Sequence, residues 1–187
     1  MSGVEHRPLA LVGLRASGKS TLAPLLAARL GRRALDLDQL LVRSAVEGGL
    51  VPAGSGPGAA LSELGEARFR QLELEVLEQA LTEREVVIAC GGGVVETERA
   101  REALAGSALV VWLDPPLATL AERLERDPGD RPPLTDASDA AGEVERIASR
   151  RRPWFEALAS IRVDLPASPE SLAEEILGRL RSWGSRG

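Results

Sequence analysis

Residues Gly13-Leu14-Arg15-Ala16-Ser17-Gly18-Lys19-Ser20 follow the pattern G-x-x-x-x-G-K-[ST], with a further hydroxyl at Thr21. Glycines at these places let successive backbone N–H groups turn inward around a polyphosphate, and a helix starting at the loop's end adds its positive dipole. The Lys then reaches the outer phosphates, and the Ser hydroxyl can ligate Mg²⁺. The candidate phosphate contacts are therefore Gly13, Ala16, Ser17, Gly18, Lys19, Ser20 and Thr21. All but one of the chain's 23 basic residues are Arg, and the exception is Lys19. Where guanidinium serves as the generic cation, the one ammonium marks a place that needs a compact charge on a flexible stem.

Other groupings carry chemistry of their own. In Asp36-Leu37-Asp38, alternation along a strand would put both carboxylates on one side. One can then serve Mg²⁺ through its water shell while the other takes a proton or hydrogen bond from a substrate hydroxyl. A helix cap is the plainer role open to Asp38. Gly91-Gly92-Gly93 exposes backbone N–H groups and removes every side chain that would block a small anion or polyol. Arg70 and Glu73, three apart on a predicted helix, can face the same way and orient each other. Arg150-Arg151-Arg152 interrupts an otherwise acidic chain. Arg131 lies in a stretch, Asp127 to Ala141, with three Pro and four Asp. That length and composition mark a mobile lid, whose Arg could fold over a triphosphate, exclude water and neutralise charge on the moving phosphoryl group.

Positioning these groups requires a scaffold, and the hydropathy pattern supplies one. Leu9 to Val12 is a short apolar run suited to a strand buried on both faces, and Leu22, Leu25, Leu26 and Leu30 recur at helical spacing until Gly31 closes the helix. The alternation continues with a strand over Ala34 to Leu37, a helix over Gln39 to Glu47 and a Gly- and Pro-rich loop over Gly48 to Ala60. Glu66 to Thr82 is helical, Val86 to Cys90 a strand, Glu96 to Leu104 a helix, Ala108 to Leu113 a strand and Pro115 to Arg126 a helix opened by its Pro. Helix over Glu143 to Ala159, strand over Ile161 to Leu165 and helix over Glu170 to Leu180 complete the series. Such alternation predicts an α/β fold: a single P-loop domain over residues 1–187, three layers α/β/α, with a five-stranded parallel sheet and ligands at the carboxyl ends of its strands.

Composition narrows the function. With 187 residues, 44% of them hydrophobic and 27% charged, the chain can bury one sizeable core. Aromatic content of 3% leaves little for base stacking, and a net charge of −5 repels phosphodiester backbones and anionic lipid, so neither nucleic acid nor membrane is an expected partner. Cys90 and His6 are the only residues of their kinds, which removes disulfides, multi-cysteine metal sites and a practical Ser-His-Asp triad. No 18-residue apolar run and no signal peptide is present, so a cytoplasmic location is expected, and at this size a monomer.

Taken together, the motifs resemble the shikimate kinase family: the loop Gly13 to Ser20, Asp36-x-Asp38, Gly65-Glu66-x-x-Phe69-Arg70-x-x-Glu73, Gly91 to Gly93, Arg131-Pro132 and Arg151-x-Pro153. The resemblance implies ATP and Mg²⁺, with shikimate as the small-molecule substrate, in aromatic amino acid biosynthesis. It further implies that Ser20 and Asp36 serve the metal and that Asp38 binds the substrate hydroxyls. Arg70 and Arg151 would hold the carboxylate with help from the glycine triplet, Glu73 would steady Arg70, and Lys19, Asp38 and Arg131 would carry catalysis. Arg126 and Pro169 are the candidates for flanking adenine, residues 38–73 the substrate-binding segment and 127–141 the lid. The segment between Asp38 and Gly65, with its Gly- and Pro-rich stretch Gly48 to Ala60, is longer than the family's usual one and leaves open a kinase of another small hydroxy acid or polyol; a nucleotide-binding regulatory module without phosphotransfer is the alternative from another class.

Overall fold

The computed structural model describes residues 6–127, 140–164 and 168–184. Their elements run β1 (Leu9–Val12), α1 (Lys19–Leu30), β2 (Arg33–Asp36), α2 (Leu37–Glu47), α3 (Pro57–Thr82), β3 (Val86–Ala89), α4 (Glu98–Ser107), β4 (Leu109–Leu113), α5 (Leu117–Arg126), α6 (Ala140–Leu158), β5 (Ile161–Val163) and α7 (Pro169–Gly184). The strands form one parallel sheet in the order β2-β3-β1-β4-β5. Between β1 and β3 the chain order reverses across the sheet. This topological switch opens a crevice at the strands' carboxyl ends, where the phosphate loop and the glycine triplet both emerge.

Strands β1, β3 and β4 split their side chains between two cores. Ala10 and Val12 of β1 face one, with Leu37, Phe69, Leu77, Trp112 and Phe155, while Leu9 and Leu11 face the other, with Leu22, Leu26, Val111 and Ile176. Burial on both faces is why β1, β3 and β4 are unbroken apolar runs. Helix α1 stops at Gly31, whose left-handed φ of 66° turns the chain so that the Arg32 N–H also reaches the Ala27 carbonyl, at 2.8 Å. Among the described residues, no helix is long and apolar enough to cross a membrane.

Several expected boundaries move. Strand β2 ends at Asp36 rather than Leu37, because the Asp36 side chain accepts from the Gln39 backbone N–H at 3.2 Å and starts α2 there. Asp36 and Asp38 therefore do not alternate along one strand, and the cap is Asp36, not Asp38. The loop after α2 ends at Gly56, since Pro57 occupies a first-turn position that needs no N–H. Helix α3 then breaks at Gly65 (φ 71°, ψ 160°) before its long second leg. A 3₁₀ turn at Val94–Glu96 precedes α4, which starts at Glu98 rather than Glu96. Pro116 caps α5, which begins at Leu117 rather than Pro115.

Candidate active site

The loop after β1 wraps tightly because its backbone leaves ordinary conformations. Gly13 has φ 147°, and a Cβ there would meet the Leu113 carbonyl oxygen at 2.4 Å. Ala16 and Gly18 are left-handed, at φ 62° and 98°. A non-glycine residue in that region is strained, and such strain collects where backbone amides are aimed at a ligand. The Ala16 carbonyl accepts from Arg123 Nη1 at 2.9 Å, which ties the loop to α5. Lys19, only 8% exposed, is held in the mouth of the loop by the carbonyls of Gly13 (3.0 Å) and Leu14 (2.7 Å) and by Ser17 Oγ (3.2 Å).

This loop floors a cleft of about 610 Å³. Ala16, Ser17, Gly18, Lys19, Ser20 and Thr21 line it, together with Asp36, Asp38, Gly92, Arg126 and Pro169. Arg126 at the end of α5 and Pro169 at the start of α7 thus reach the same cavity as the phosphate loop. Arg131 lies outside the described residues, as does most of the segment 127–141 expected to form a lid.

The glycine triplet joins this cleft to a buried charge cluster. A Cβ on Gly91 would stand 2.6 Å from Glu73 Oε1 and 3.0 Å from Asp38 Oδ1. On Gly92 it would stand 3.1 Å from the Arg15 backbone nitrogen, and on Gly93 2.5 Å from Arg70 Nη1. Each position faces a different predicted site group, so any side chain would push one of them aside.

Arg70 donates to Glu73 at 2.8 Å, the expected three-residue pairing, and also to Glu96 at 2.9 Å. Arg151, 3% exposed, donates from Nε to Glu96 at 3.1 Å and from Nη1 to the Gly92 carbonyl at 3.0 Å. Arg150 also pairs with Glu96. The neighbouring Arg152 turns away, to buried Asp114 at 3.1 Å. Arg70 Nε, buried, has no hydrogen-bond partner, with Glu66 Oε1 standing 3.9 Å away.

Burial shifts these groups, and the ion pairs answer it. Burial works to lower the Arg70 pKa, but Glu73, Glu96 and Glu66 overcome it and leave it raised. At Arg151 burial prevails over Glu96, with repulsion from Arg70 and Arg150 adding to it, and the pKa falls. Burial alone would raise the Glu96 carboxyl, yet Arg151, Arg70 and Arg150 bring it below its usual value. Cys90, at the end of β3, is pushed up to about 12 by burial first, with Lys19 opposing and Glu73, Asp38 and Asp36 reinforcing.

Two residues here escaped the sequence reading. Glu96 sits in a turn where a helix start was expected, and no spacing rule links it to Arg70 or Arg151. Arg123 precedes Arg126 by three on one helix face, a signal that could have placed it at the cleft.

A family model described as shikimate kinase matches residues 15–181. Shikimate kinase of Synechococcus sp. (strain JA-3-3Ab) is 39% identical over 89% of this chain and 83% of its own length. That of Symbiobacterium thermophilum is 35% identical over 96% and 99%. The structure of shikimate kinase from Acinetobacter baumannii in complex with shikimate superposes with a TM-score of 0.82 at 28% identity, covering 94% of this chain and 93% of that one. With the likeness running from the phosphate loop to the last helix, the chain belongs to the shikimate kinase family and is an ATP-dependent kinase.

Proposed function

We propose that this chain moves the γ-phosphoryl group of ATP to the 3-hydroxyl of shikimate, giving shikimate 3-phosphate and ADP. The observation that carries this reading is one continuous arrangement. A cleft floored by the phosphate loop runs to Asp38 and Gly92, and Gly92 leads directly to the paired guanidiniums of Arg151 and Arg70. A triphosphate fits the first end and a small hydroxylated carboxylic acid the second.

The chemistry is mostly positioning and charge stabilisation. Arg70 and Arg151 hold the substrate carboxylate with the glycine triplet, Gly91 to Gly93, through N–H donors that the bonds to Glu73, Glu96 and the Gly92 carbonyl leave unused. Glu73 fixes the Arg70 fork. Asp38 orients the hydroxyl and takes its proton as the oxygen attacks the γ-phosphorus. The bond to the β-phosphate oxygen breaks, and its electron pair leaves with ADP. Lys19, with Arg131 from the lid, neutralises the transferring group. Gly13, Ala16, Ser17, Gly18 and Thr21 grip the phosphates, while Arg126 and Pro169 flank adenine.

Mg²⁺ suits the donors present. Among the described residues no cluster of three or more His, Cys, Asp or Glu could hold a metal alone. Ser20 and Asp36 nevertheless offer hard oxygens to the cleft, as befits an ion that keeps water and phosphate oxygens as its other ligands. When bound it neutralises charge on the triphosphate. The same reading places a monomer in the cytoplasm, with no nucleic-acid or membrane partner.

The test is coupled ADP release from purified protein with Mg-ATP and a panel of acceptors: shikimate, quinate, gluconate and a cyclitol. Release that depends on shikimate, and falls to near background in Asp38→Asn while ATP still binds, is expected. Preference for gluconate or the cyclitol would overturn the substrate, and ADP release indifferent to every acceptor would overturn the transfer.

A further inference from the structure

The guanidinium cluster contains one group that the family motifs do not account for. Glu96 closes the 3₁₀ turn after the glycine triplet, with its backbone N–H on the Gly93 carbonyl at 2.9 Å. The turn is rigidly placed: Val94 and Val95 are fully buried, and Arg101 Nη1 donates to the Val95 carbonyl at 2.5 Å. From there the carboxylate divides its two oxygens. Oε2 accepts from Arg70 Nη2 at 2.9 Å, and Oε1 accepts from Arg151 Nε at 3.1 Å with Nη2 in ion-pair contact at 3.0 Å and Arg150 pairing to it as well.

We propose that Glu96 is a positioning residue for the acceptor: its carboxylate yokes Arg70 to Arg151 so that their remaining N–H donors converge on one anionic group of the substrate. The inference rests on the carboxylate clamp described above. Two guanidiniums brought close together repel each other, and a bridging carboxylate is the device that holds them at a shared target. Glu96 does this without exhausting them. Each guanidinium carries five N–H donors, and the contacts to Glu73, Glu96 and the Gly92 carbonyl leave donors on both. Bound to only one of the two, a carboxylate would be free to swing; bound across both, Glu96 fixes their relative orientation before substrate arrives.

The experiment is steady-state kinetics on Glu96→Ala and Glu96→Gln, varying shikimate and ATP separately, with thermal melts to confirm folding. Losing a charge-assisted bridge should raise the KM for shikimate about ten-fold or more in the Ala variant. In the Gln variant the amide nitrogen faces a guanidinium donor to donor, so a rise of the same sense is expected. The KM for ATP, and kcat at saturating shikimate, should stay within about two-fold, since Glu96 touches neither the phosphate loop nor Asp38 in this account. A merely structural role would instead move the KM values for shikimate and ATP together, whatever the change in melting temperature. Arg70→Lys and Arg151→Lys serve as references. If they raise the KM for shikimate and the Glu96 variants do not, or if those variants lower it because Glu96 competes with substrate, the yoke is wrong and the clamp stands. If none of the four raises it, the clamp itself is wrong.

Discussion

Gly93→Ala would place a methyl group where the Arg70 guanidinium now lies. The ideal Cβ falls 2.5 Å from Nη1, 2.7 Å from Nη2 and 2.8 Å from Cζ. Non-bonded heavy atoms settle near 3.5 Å, so the guanidinium must retreat by about 1 Å. Because the obstacle is the far end of a flexible side chain, the backbone need not move, and the variant should still fold. The retreat strains two charge-assisted contacts, Arg70 to Glu73 at 2.8 Å and Arg70 to Glu96 at 2.9 Å. The same retreat misaligns the bond that Arg70 is proposed to make to the substrate carboxylate, and losing one charge-assisted bond costs about 1.5–3 kcal/mol, a rise of roughly 10- to 150-fold in the KM for shikimate. The phosphate loop touches Gly92, not Gly93, so the KM for ATP should hold. Initial rates at varied shikimate and fixed saturating Mg-ATP, and the converse, read both constants. An unchanged KM for shikimate in a folded Gly93→Ala protein would refute the role given to Arg70.

The remaining predictions follow from the same geometry. Gly13→Ala sets a Cβ 2.4 Å from a backbone oxygen at φ 147°, where nothing flexible can yield. Strain and overlap together should cost about 3 kcal/mol or more, lowering the melting temperature by about 6–12 °C in calorimetry. Cys90, 2% exposed and pushed up to about 12, is a thiolate in only about one molecule in ten thousand at pH 8. A chromogenic disulfide reagent should therefore count no thiol in the native protein and one in denaturant. Glu96, whose carboxyl is brought below its usual value by Arg151, Arg70 and Arg150 against burial, is bound to fewer protons when folded than when unfolded. Its contribution to stability is thus present above the ordinary Glu range, near pH ~4.3, and lost as pH falls through the lower folded value. In urea melts the gap between the parent and Glu96→Gln should persist at pH 6 and close progressively in acid.

How much of this was legible beforehand depended on whether local chemistry or tertiary distance set the outcome. Strands β1, β3 and β4 were readable because burial on both faces demands continuous apolar runs, and α1 because its Gly31 cap and leucine spacing agree. The phosphate loop was readable because its glycines and lone Lys have few other uses. The placement of Asp36 and Asp38 was missed by one residue. Strand alternation and capping competed for the same positions, and the hydrogen bond from Gln39 to Asp36 decided for the cap. Pro57 falls in a Gly- and Pro-rich stretch whose composition reads as loop, although proline also opens helices, and the break at Gly65 leaves the first leg of α3 too short to show a clear period. Glu96 lay beyond reach for a different reason: it meets Arg70 and Arg151 across sequence separations of 26 and 55, which no local pattern encodes.

The account turns on one cleft seating both partners of the transfer. A crystal structure with Mg-ADP and shikimate tests this most directly. The prediction is ADP phosphates on the amides of Gly13 to Ser20, the shikimate carboxylate within hydrogen-bonding distance of both Arg70 and Arg151, and the 3-hydroxyl on Asp38. Shikimate bound with its carboxylate away from those two arginines, or ADP seated off the loop, would contradict it.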